Sequence, residues 1–177
     1  MSENSETVVP KTRWQRLKWL REGLLWSALL FAIMAWQGRD LLPDDGTVTV
    51  PHRVLPSLQG ALMPLHQSGQ RTLVYFFAPW CQVCAVSIGS LESMTDEDIR
   101  VVAVALDFQA IDEVQRFVRR HEVQVPVLLG DTALRQQFAV KGYPTYYIID
   151  GQGKVVAGTM GYSTGWGMQL RNYLSRD

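Results

Sequence analysis

The chain has 177 residues, of which 17 are basic and 17 acidic, so its formal net charge is zero. This balance gives no general support to a nucleic-acid-binding protein or to a protein for strongly charged substrates. The length fits one domain plus an appendage, and the hydrophobic content of 47% is sufficient for a sizeable core.

The amino-terminal segment predicts a membrane anchor. Residues 23–38 carry no charge, basic residues crowd positions 1–22, and acidic residues follow soon after the apolar run. Sixteen helical residues span only roughly 24 Å, short of a ~30 Å hydrocarbon core, but the helix can extend backwards through Leu17, Trp19 and Leu20. The charge asymmetry predicts a cytoplasmic amino terminus, a single uncleaved span over 23–38 and an exported remainder.

Two alternatives for this segment are weaker. A cleaved signal peptide requires small residues at positions −3 and −1, whereas cleavage after Ala35 puts Ile33 at −3 and cleavage after Gly38 puts Trp36 there. A buried helix of a soluble domain is disfavoured because apolar residues run all round the helix.

The elements up to the middle of the chain follow from local patterns. A polar linker is predicted over 39–54, with a possible strand at 47–50, and one domain is predicted over 55–177. That domain opens with a short hairpin that turns at Gly60, followed by a buried strand over 72–78. A helix from Cys81 to about Met94 and a nearly all-apolar central strand over 99–106 come next.

The second half alternates in the same way. We predict a helix over 111–121 with Asp112 as its N-cap, a strand over 125–129, a short helix over 131–138, a hairpin of strands 145–150 and 154–158, and a last helix that Ser163 caps and that runs to about Leu174. The arginines of the helix at 111–121, with His121, are interpreted as a solvated face. This order predicts an α/β layer fold with a mostly parallel sheet that ends in an antiparallel hairpin.

The two cysteines of the chain lie three apart, in Trp80-Cys81-Gln-Val-Cys84, between a buried strand and a helix. Positions i and i+3 of a helix share a face, so the two sulfurs can form a disulfide. The first cysteine would lie in the first helical turn, where free N–H groups and the helix dipole stabilise its thiolate and lower its pKa. The pattern predicts thiol–disulfide exchange.

Other roles for the pair are less favoured. A structural disulfide that closes so short a loop restrains the unfolded chain little. Zinc requires four ligands, and His52, His66 and His121 are scattered; haem attachment requires His at position 85, which is Ala. No metal site and no cofactor is therefore predicted.

Pro144, in Gly142-Tyr143-Pro144-Thr145, precedes a predicted strand. A proline there cannot donate to a sheet ladder, and it suits either an ordinary turn or a cis bend opposite the cysteine helix. In the second case its backbone would offer edge hydrogen bonds to an extended peptide.

The chain from about Leu55 to Leu174 resembles the membrane-anchored thioredoxin-like proteins of the TlpA-like branch. The matching motifs are Ala-Pro-Trp-Cys-x-x-Cys, Val-Ala-Val-Ala-Leu-Asp, Val-Pro-Val-Leu-Leu-Gly-Asp and Gly-Tyr-Pro-Thr-Tyr-Tyr-Ile-Ile-Asp-Gly-x-Gly. Trp19-Leu-Arg-Glu-Gly and the segment Gly161-Tyr-Ser-Thr-Gly-Trp-Gly-Met-Gln-Leu-Arg are most similar to the narrower ScsD-like group, named for suppression of copper sensitivity. The resemblance implies a thioredoxin-like three-layer fold with a central mixed sheet, preceded by one transmembrane helix.

The resemblance also implies roles for individual residues. Cys81 matches the nucleophile and Cys84 the resolving thiol, Trp80 packs beside the pair, and Tyr143 with a cis Pro144 faces it as part of the substrate-binding surface. One departure concerns the second cysteine. Many thioredoxins hold a buried Asp six residues before the first cysteine as proton acceptor, but Tyr75 stands here, and a neutral phenol cannot be that base at pH 7.

Asp107 is a weak alternative as proton acceptor, and it better fits a residue of a loop or helix entry.

The resemblance implies a protein-disulfide oxidoreductase on the bacterial inner membrane, with its catalytic domain in the periplasm. Its expected partners are protein thiols or disulfides and a membrane electron-transfer protein that resets the dithiol. We expect reductive use, because no His lies between the cysteines to stabilise the thiolate strongly. The alternatives are an oxidising disulfide donor, a Cu(I)-binding chaperone or sensor that uses the same cysteines, and a non-catalytic binding module.

Overall fold

A computed structural model describes residues 13–38, 41–94, 99–162 and 165–175, with only the backbone described at 13–17, 30, 33–38 and 166. The chain divides into two compact units, residues 1–39 and 40–177. In the first unit, one helix, α1 (Arg13–Gly38), contains the uncharged segment and begins ten residues before it. Within the described ranges, no helix has both the length and the apolar character that a membrane span requires.

The second unit is built on a mixed sheet of five strands. Its strands are β3 (Arg71–Phe77), β4 (Ile99–Ala105), β5 (Val127–Leu129), β6 (Thr145–Ile149) and β7 (Val155–Met160), in the spatial order β5-β4-β3-β6-β7. The predicted hairpin around Gly60 forms a separate two-stranded sheet of β1 (Val54–Pro56) and β2 (Leu62–Pro64).

The strand directions agree with the sequence prediction. β3 pairs with β4 and β4 with β5 in parallel, whereas β6 runs antiparallel to both β3 and β7. Of these five strands only β6 is reversed, so the sheet is mostly parallel and ends in the predicted antiparallel hairpin, which joins it beside β3.

Helices cover both faces of this sheet. They are α2 (Gln82–Ser87), a 3₁₀ segment (Ile88–Met94), α3 (Ile111–Arg120), α4 (Thr132–Gln137) and α5 (Gly165–Leu174). β3 is apolar on both sides because each of its faces lies in a separate core. Tyr75 and Phe77 pack with Cys84 in one core, and Val74 and Phe76 pack with Phe138 in the other.

Three local predictions differ from the structure. The helix expected from Cys81 to Met94 changes to 3₁₀ geometry at Ile88. The N-cap of α3 is Ala110 and not Asp112, because the Glu113 carboxylate reaches back to accept from the N–H of Gln109 at 3.1 Å.

The possible strand at 47–50 is reduced to one bridge between Thr49 and Lys154. The predicted capping residue of the last helix, Ser163, lies outside the described residues.

Candidate functional site

Cys81 and Cys84 form a disulfide at the point where β3 passes into α2. Cys81 is the N-cap of α2 with an extended backbone, and the Cα atoms of the two cysteines are 5.3 Å apart. The N–H of Cys84 donates to the Cys81 sulfur at 3.1 Å. A thiolate formed at Cys81 would be stabilised by the same N–H group.

The two sulfurs differ in their access to solvent. Cys84 is completely buried in the core that contains Tyr75 and Phe77, whereas 7% of Cys81 is exposed. Cys81 also lines an open groove, and Cys84 does not. A disulfide or thiol of another molecule can therefore reach Cys81 only, as the predicted roles of nucleophile and buried resolving thiol require.

The Tyr143–Pro144 peptide bond is cis, as the resemblance implied. Thr145 pairs with Phe76 on β3, so Pro144 lies at the same end of the sheet as the cysteines. The ring of Tyr143 packs edge-on against Trp80, with ring centroids 5.6 Å apart, and contacts the core that contains both cysteines. All five predicted site residues are thus brought together.

Asp107 joins the two aromatic side chains of the site. Its backbone oxygen accepts from Trp80 Nε1 at 3.0 Å, and its carboxylate oxygen Oδ2 accepts from the hydroxyl of Tyr143 at 2.9 Å. The same carboxylate faces Arg135 Nε at 3.4 Å. These contacts keep Trp80 in place while 64% of it is exposed.

The carboxylate of Asp107 also affects the titration of Tyr143. Burial raises the pKa of Tyr143, and the Asp107 carboxylate raises that pKa further, because both favour the neutral phenol. Asp107 therefore serves to position Trp80 and Tyr143, and its carboxylate already has two partners in Tyr143 and Arg135.

The position six residues before Cys81 holds a neutral hydrogen-bond network. Tyr75 is 1% exposed, and its hydroxyl lies 2.7 Å from Ser87 Oγ, which donates to the carbonyl of Val83 at 2.9 Å. Burial raises the pKa of Tyr75 to about 12, against a small opposing effect of the Ser87 hydrogen bond. Tyr75 is thus the core aromatic that the sequence predicts, and it is uncharged at pH 7.

A groove of about 750 Å³ opens beside Cys81, on the side of α3. One wall is the turn that carries the cysteine, the other is one face of α3, and the groove is lined by Pro79, Trp80, Cys81, Gln82, Ala85, Asp107, Gln109, Glu113, Arg116, Phe117, Arg120 and His121. Among the side chains that the structure describes, no group of three or more His, Cys, Asp or Glu could hold a metal ion.

Residues 49–157 match the AhpC/TSA family, which is more than half of the chain. The chain belongs to the AhpC/TSA family. It is 26% identical over 111 residues to the thioredoxin-like protein YneN of Bacillus subtilis, an alignment that covers 59% of this chain and 65% of that one. It is also 26% identical over 132 residues to the thiol–disulfide oxidoreductase ResA of Bacillus cereus, covering 71% and 75% of the two chains.

The fold is that of solved thioredoxin-like proteins. The crystal structure of StoA from Bacillus subtilis superposes with a TM-score of 0.61 at 19% identity, covering 72% of this chain and 99% of StoA. The predicted thioredoxin-like α/β fold with a mixed sheet is confirmed. The predicted enzyme class, a thiol–disulfide oxidoreductase, is confirmed by the relative ResA, whose name states that class.

The sequence did not predict the contacts that Asp107 and Ser87 make in the site. Asp107 follows β4 directly, and β4 is the parallel neighbour of β3, so its position at the carboxyl end of a central strand was an available signal. Ser87 follows Cys84 by one helical turn, but only the packing of β3 against α2 brings it to Tyr75.

Proposed function

We propose that this protein exchanges disulfides with other proteins through Cys81 and Cys84, acting mainly as a reductant. The observation that carries the proposal is the pairing of an accessible Cys81 with a fully buried Cys84 in one disulfide. Tyr143 supports it as well, because among the described residues no backbone group pairs with its N–H or C=O. An extended substrate chain can add to these two groups as a strand adds to a sheet edge.

In the proposed reaction the Cys81 thiolate attacks one sulfur of a substrate disulfide, and the other substrate sulfur leaves as a thiolate. That thiolate takes a proton from water, Cys84 gives its proton to water, and the Cys84 sulfur then attacks Cys81. The substrate sulfur that was bound to Cys81 leaves as a thiolate and takes a proton from water. The substrate disulfide has gained two electrons, and Cys81–Cys84 has become the disulfide. A dithiol on a membrane electron-transfer protein then reduces it again.

Replacement of Cys81 by Ser tests the activity. The reduced protein should reduce insulin disulfides, Cys81→Ser should abolish this reduction, and Cys84→Ser should accumulate a mixed disulfide at Cys81 that gel electrophoresis detects. A cellular phenotype that Cys81→Ser leaves intact would indicate a non-catalytic binding module. Tight stoichiometric copper on the purified protein without insulin reduction would favour the Cu(I)-binding alternative.

The direction of exchange is tested by the reduction potential of the pair. We expect equilibration with glutathione to give a reduction potential of about −270 mV, as in reducing thioredoxins. A reduction potential of about −120 mV, typical of strong oxidants, would instead support the oxidising disulfide donor.

We also propose that α1 tethers the domain to the bacterial inner membrane, with the amino terminus cytoplasmic and the catalytic unit periplasmic. Residues 23–38 of α1 are uncharged, and exposed apolar side chains such as Leu24, Trp26 and Phe31 lie along it. Full-length protein should stay in the membrane fraction after carbonate extraction, and protein that starts at residue 40 should not.

A place in the ScsD-like group is part of the same proposal. It rests on the motifs at 19–23 and 161–171.

A further inference from the structure

The solvated face predicted for α3 borders the groove beside Cys81. Arg116 and Phe117 follow Glu113 by three and four residues, and Arg120 follows Arg116 by four, which puts these residues on one side of α3. Arg119 lies on the same helix but does not line the groove. Arg116 and Arg120 are both exposed.

The two carboxylates of the groove already have partners. Asp107 accepts from Tyr143 and faces Arg135, and Glu113 accepts from the N–H of Gln109. By contrast, in the part of the chain that the structure describes, Arg116 and Arg120 have neither an ion-pair nor a hydrogen-bond partner. Two like charges one helical turn apart repel each other. Within the described part of the chain, the groove therefore presents two guanidinium groups that pair with no carboxylate, beside the carboxylates of Asp107 and Glu113.

The floor of the groove is formed by apolar and aromatic groups next to the reactive sulfur. Phe117 stacks on Phe77 with ring centroids 5.0 Å apart and contacts the ring of His121 at 4.6 Å. The exposed Trp80 and Cys81 form the opposite wall. A peptide chain attached to Cys81 in a mixed disulfide can therefore extend over this floor, with its side chains facing α3.

We propose that this groove binds an acidic segment of the protein substrate, with Arg116 and Arg120 pairing with carboxylates near the substrate disulfide. The inference rests on the proposed exchange at Cys81 and defines which substrates are preferred. Arginine suits this role because its planar guanidinium binds carboxylates through two hydrogen bonds. In the proposed exchange the N–H and C=O of Tyr143 bind the substrate backbone whatever its sequence, and α3 supplies the selectivity.

The test compares two disulfide-linked peptides that differ only in flanking residues, Glu in one and Lys in the other. Reduced wild-type protein should prefer the acidic peptide in kcat/KM by about tenfold, the effect expected of two exposed ion pairs. The preference should shrink as salt rises from about 0.01 M to about 0.15 M, where the screening length falls from about 30 Å to about 8 Å. The double variant R116E/R120E should prefer the basic peptide.

A matched control separates the groove from the general charge of the helix. R119E makes the same change one residue away, outside the groove, and should retain the wild-type preference. Equal kcat/KM for both peptides, or a loss in R119E as large as in R116E/R120E, would overturn the proposal.

Two further measurements distinguish this proposal from that of the exchange reaction. Reduction of the uncharged 2-hydroxyethyl disulfide by wild type tests the exchange reaction alone, and its absence would contradict the exchange function itself. Binding without chemistry is tested by calorimetric titration of the oxidised protein with an acidic peptide whose own cysteines are replaced by serine. Binding by wild type but not by R116E/R120E supports the groove, and no binding by wild type opposes it.

Discussion

Tyr75 stabilises the core behind the cysteines and takes no part in their proton transfer. Its hydroxyl bonds to Ser87 in a buried site, so Tyr75→Phe should lower the free energy of unfolding by about 1 kcal/mol, as loss of a buried hydrogen bond does. Because burial raises the pKa of Tyr75 to about 12, the phenol is protonated throughout the range in which thiols titrate. The pH profile of disulfide exchange should therefore be the same in Tyr75→Phe.

The stability effect is measured by urea unfolding of Tyr75→Phe, Ser87→Ala and the double variant, since the cycle isolates the coupling between the two hydroxyls. Single variants whose losses add would show that the hydroxyls do not interact. An altered pH profile in Tyr75→Phe would instead show that Tyr75 takes part in the proton transfer from Cys84.

Asp107 is predicted to act by holding Tyr143 in place. Asp107→Ala removes the acceptor of the Tyr143 hydroxyl, and kcat/KM for a protein disulfide should fall about fivefold, equivalent to one lost hydrogen bond. Asp107→Asn keeps an acceptor oxygen and a side chain that tolerates the positive φ of 49° at this position, so its kcat/KM should stay near that of wild type.

Tyr143→Phe provides the matched control for Asp107→Ala, because it removes the donor of the same bond. It should reproduce the loss, while the Cys81–Cys84 reduction potential stays the same in all three variants. A changed potential, or equal losses in Asp107→Asn and Asp107→Ala, would show that the carboxylate acts directly on the cysteines.

At the scale of elements, the close packing of β6 against β7 depends on a glycine. A Cβ atom added at Gly158 would lie 2.8 Å from two ring carbons of Tyr147, its register partner. Tyr147 cannot move away easily, because its hydroxyl donates to the Phe138 carbonyl at 2.9 Å and accepts from the N–H of Leu42 at 3.2 Å. Gly158→Ala should therefore lower the free energy of unfolding by about 1–3 kcal/mol.

Gly89, in the 3₁₀ segment after α2, is the control for this substitution. It is exposed, and a Cβ atom there would have no neighbour within 4 Å. Gly89→Ala should leave stability unchanged or raise it by up to about 1 kcal/mol, because alanine loses less backbone entropy on folding. Thermal unfolding of both variants tests the pair, and a Gly158→Ala protein as stable as wild type would mean that β6 and β7 separate at little cost.

The elements that the sequence predicts well are those whose signal is local. The apolar run of β3, the turn at Gly60 and the cysteine pair at the start of α2 are all readable from neighbouring residues. The orientation of β6 cannot be read from neighbouring residues, because it depends on how the final hairpin joins the sheet beside β3. The start of α3 was also misjudged, since the backward reach of Glu113 competes with capping by Asp112.

The same distinction applies to the site of the whole molecule. Cys81 and Cys84 carry a chemical signature that is readable without a structure, whereas the cis bond before Pro144 was implied only by the family resemblance. The contacts of Asp107 with Trp80 and Tyr143 join residues 27 and 36 positions apart, and the groove is formed by α3 and the cysteine turn together. No local pattern encodes such long-range contacts. The arginines of α3 therefore look like an ordinary surface in the sequence.

At the scale of the domain, His66 links stability to pH. Its imidazole is 5% exposed and lies beside the turn between β6 and β7, since a Cβ atom at Gly153 would be 3.3 Å from its Cε1 atom. Burial is the largest cause that lowers the pKa of His66, and the charge of His52 acts in the same direction; the Val50 and Pro51 carbonyls oppose them, and the charge of Arg100 lowers the pKa least. Folding therefore disfavours the protonated imidazole.

The sign of the effect follows from this lowered pKa. In the unfolded chain His66 binds a proton below about pH 6.5, whereas in the folded domain it does so only at a lower pH. The contribution of His66 to stability is therefore fully present above about pH 6.5 and is lost as the pH falls towards the pKa of the folded state. We expect the midpoint of urea unfolding to be lower at about pH 5 than at about pH 7.5. His66→Leu, which cannot take up a proton, should reduce this difference. A difference as large in His66→Leu as in wild type would assign the acid sensitivity of the domain to other groups.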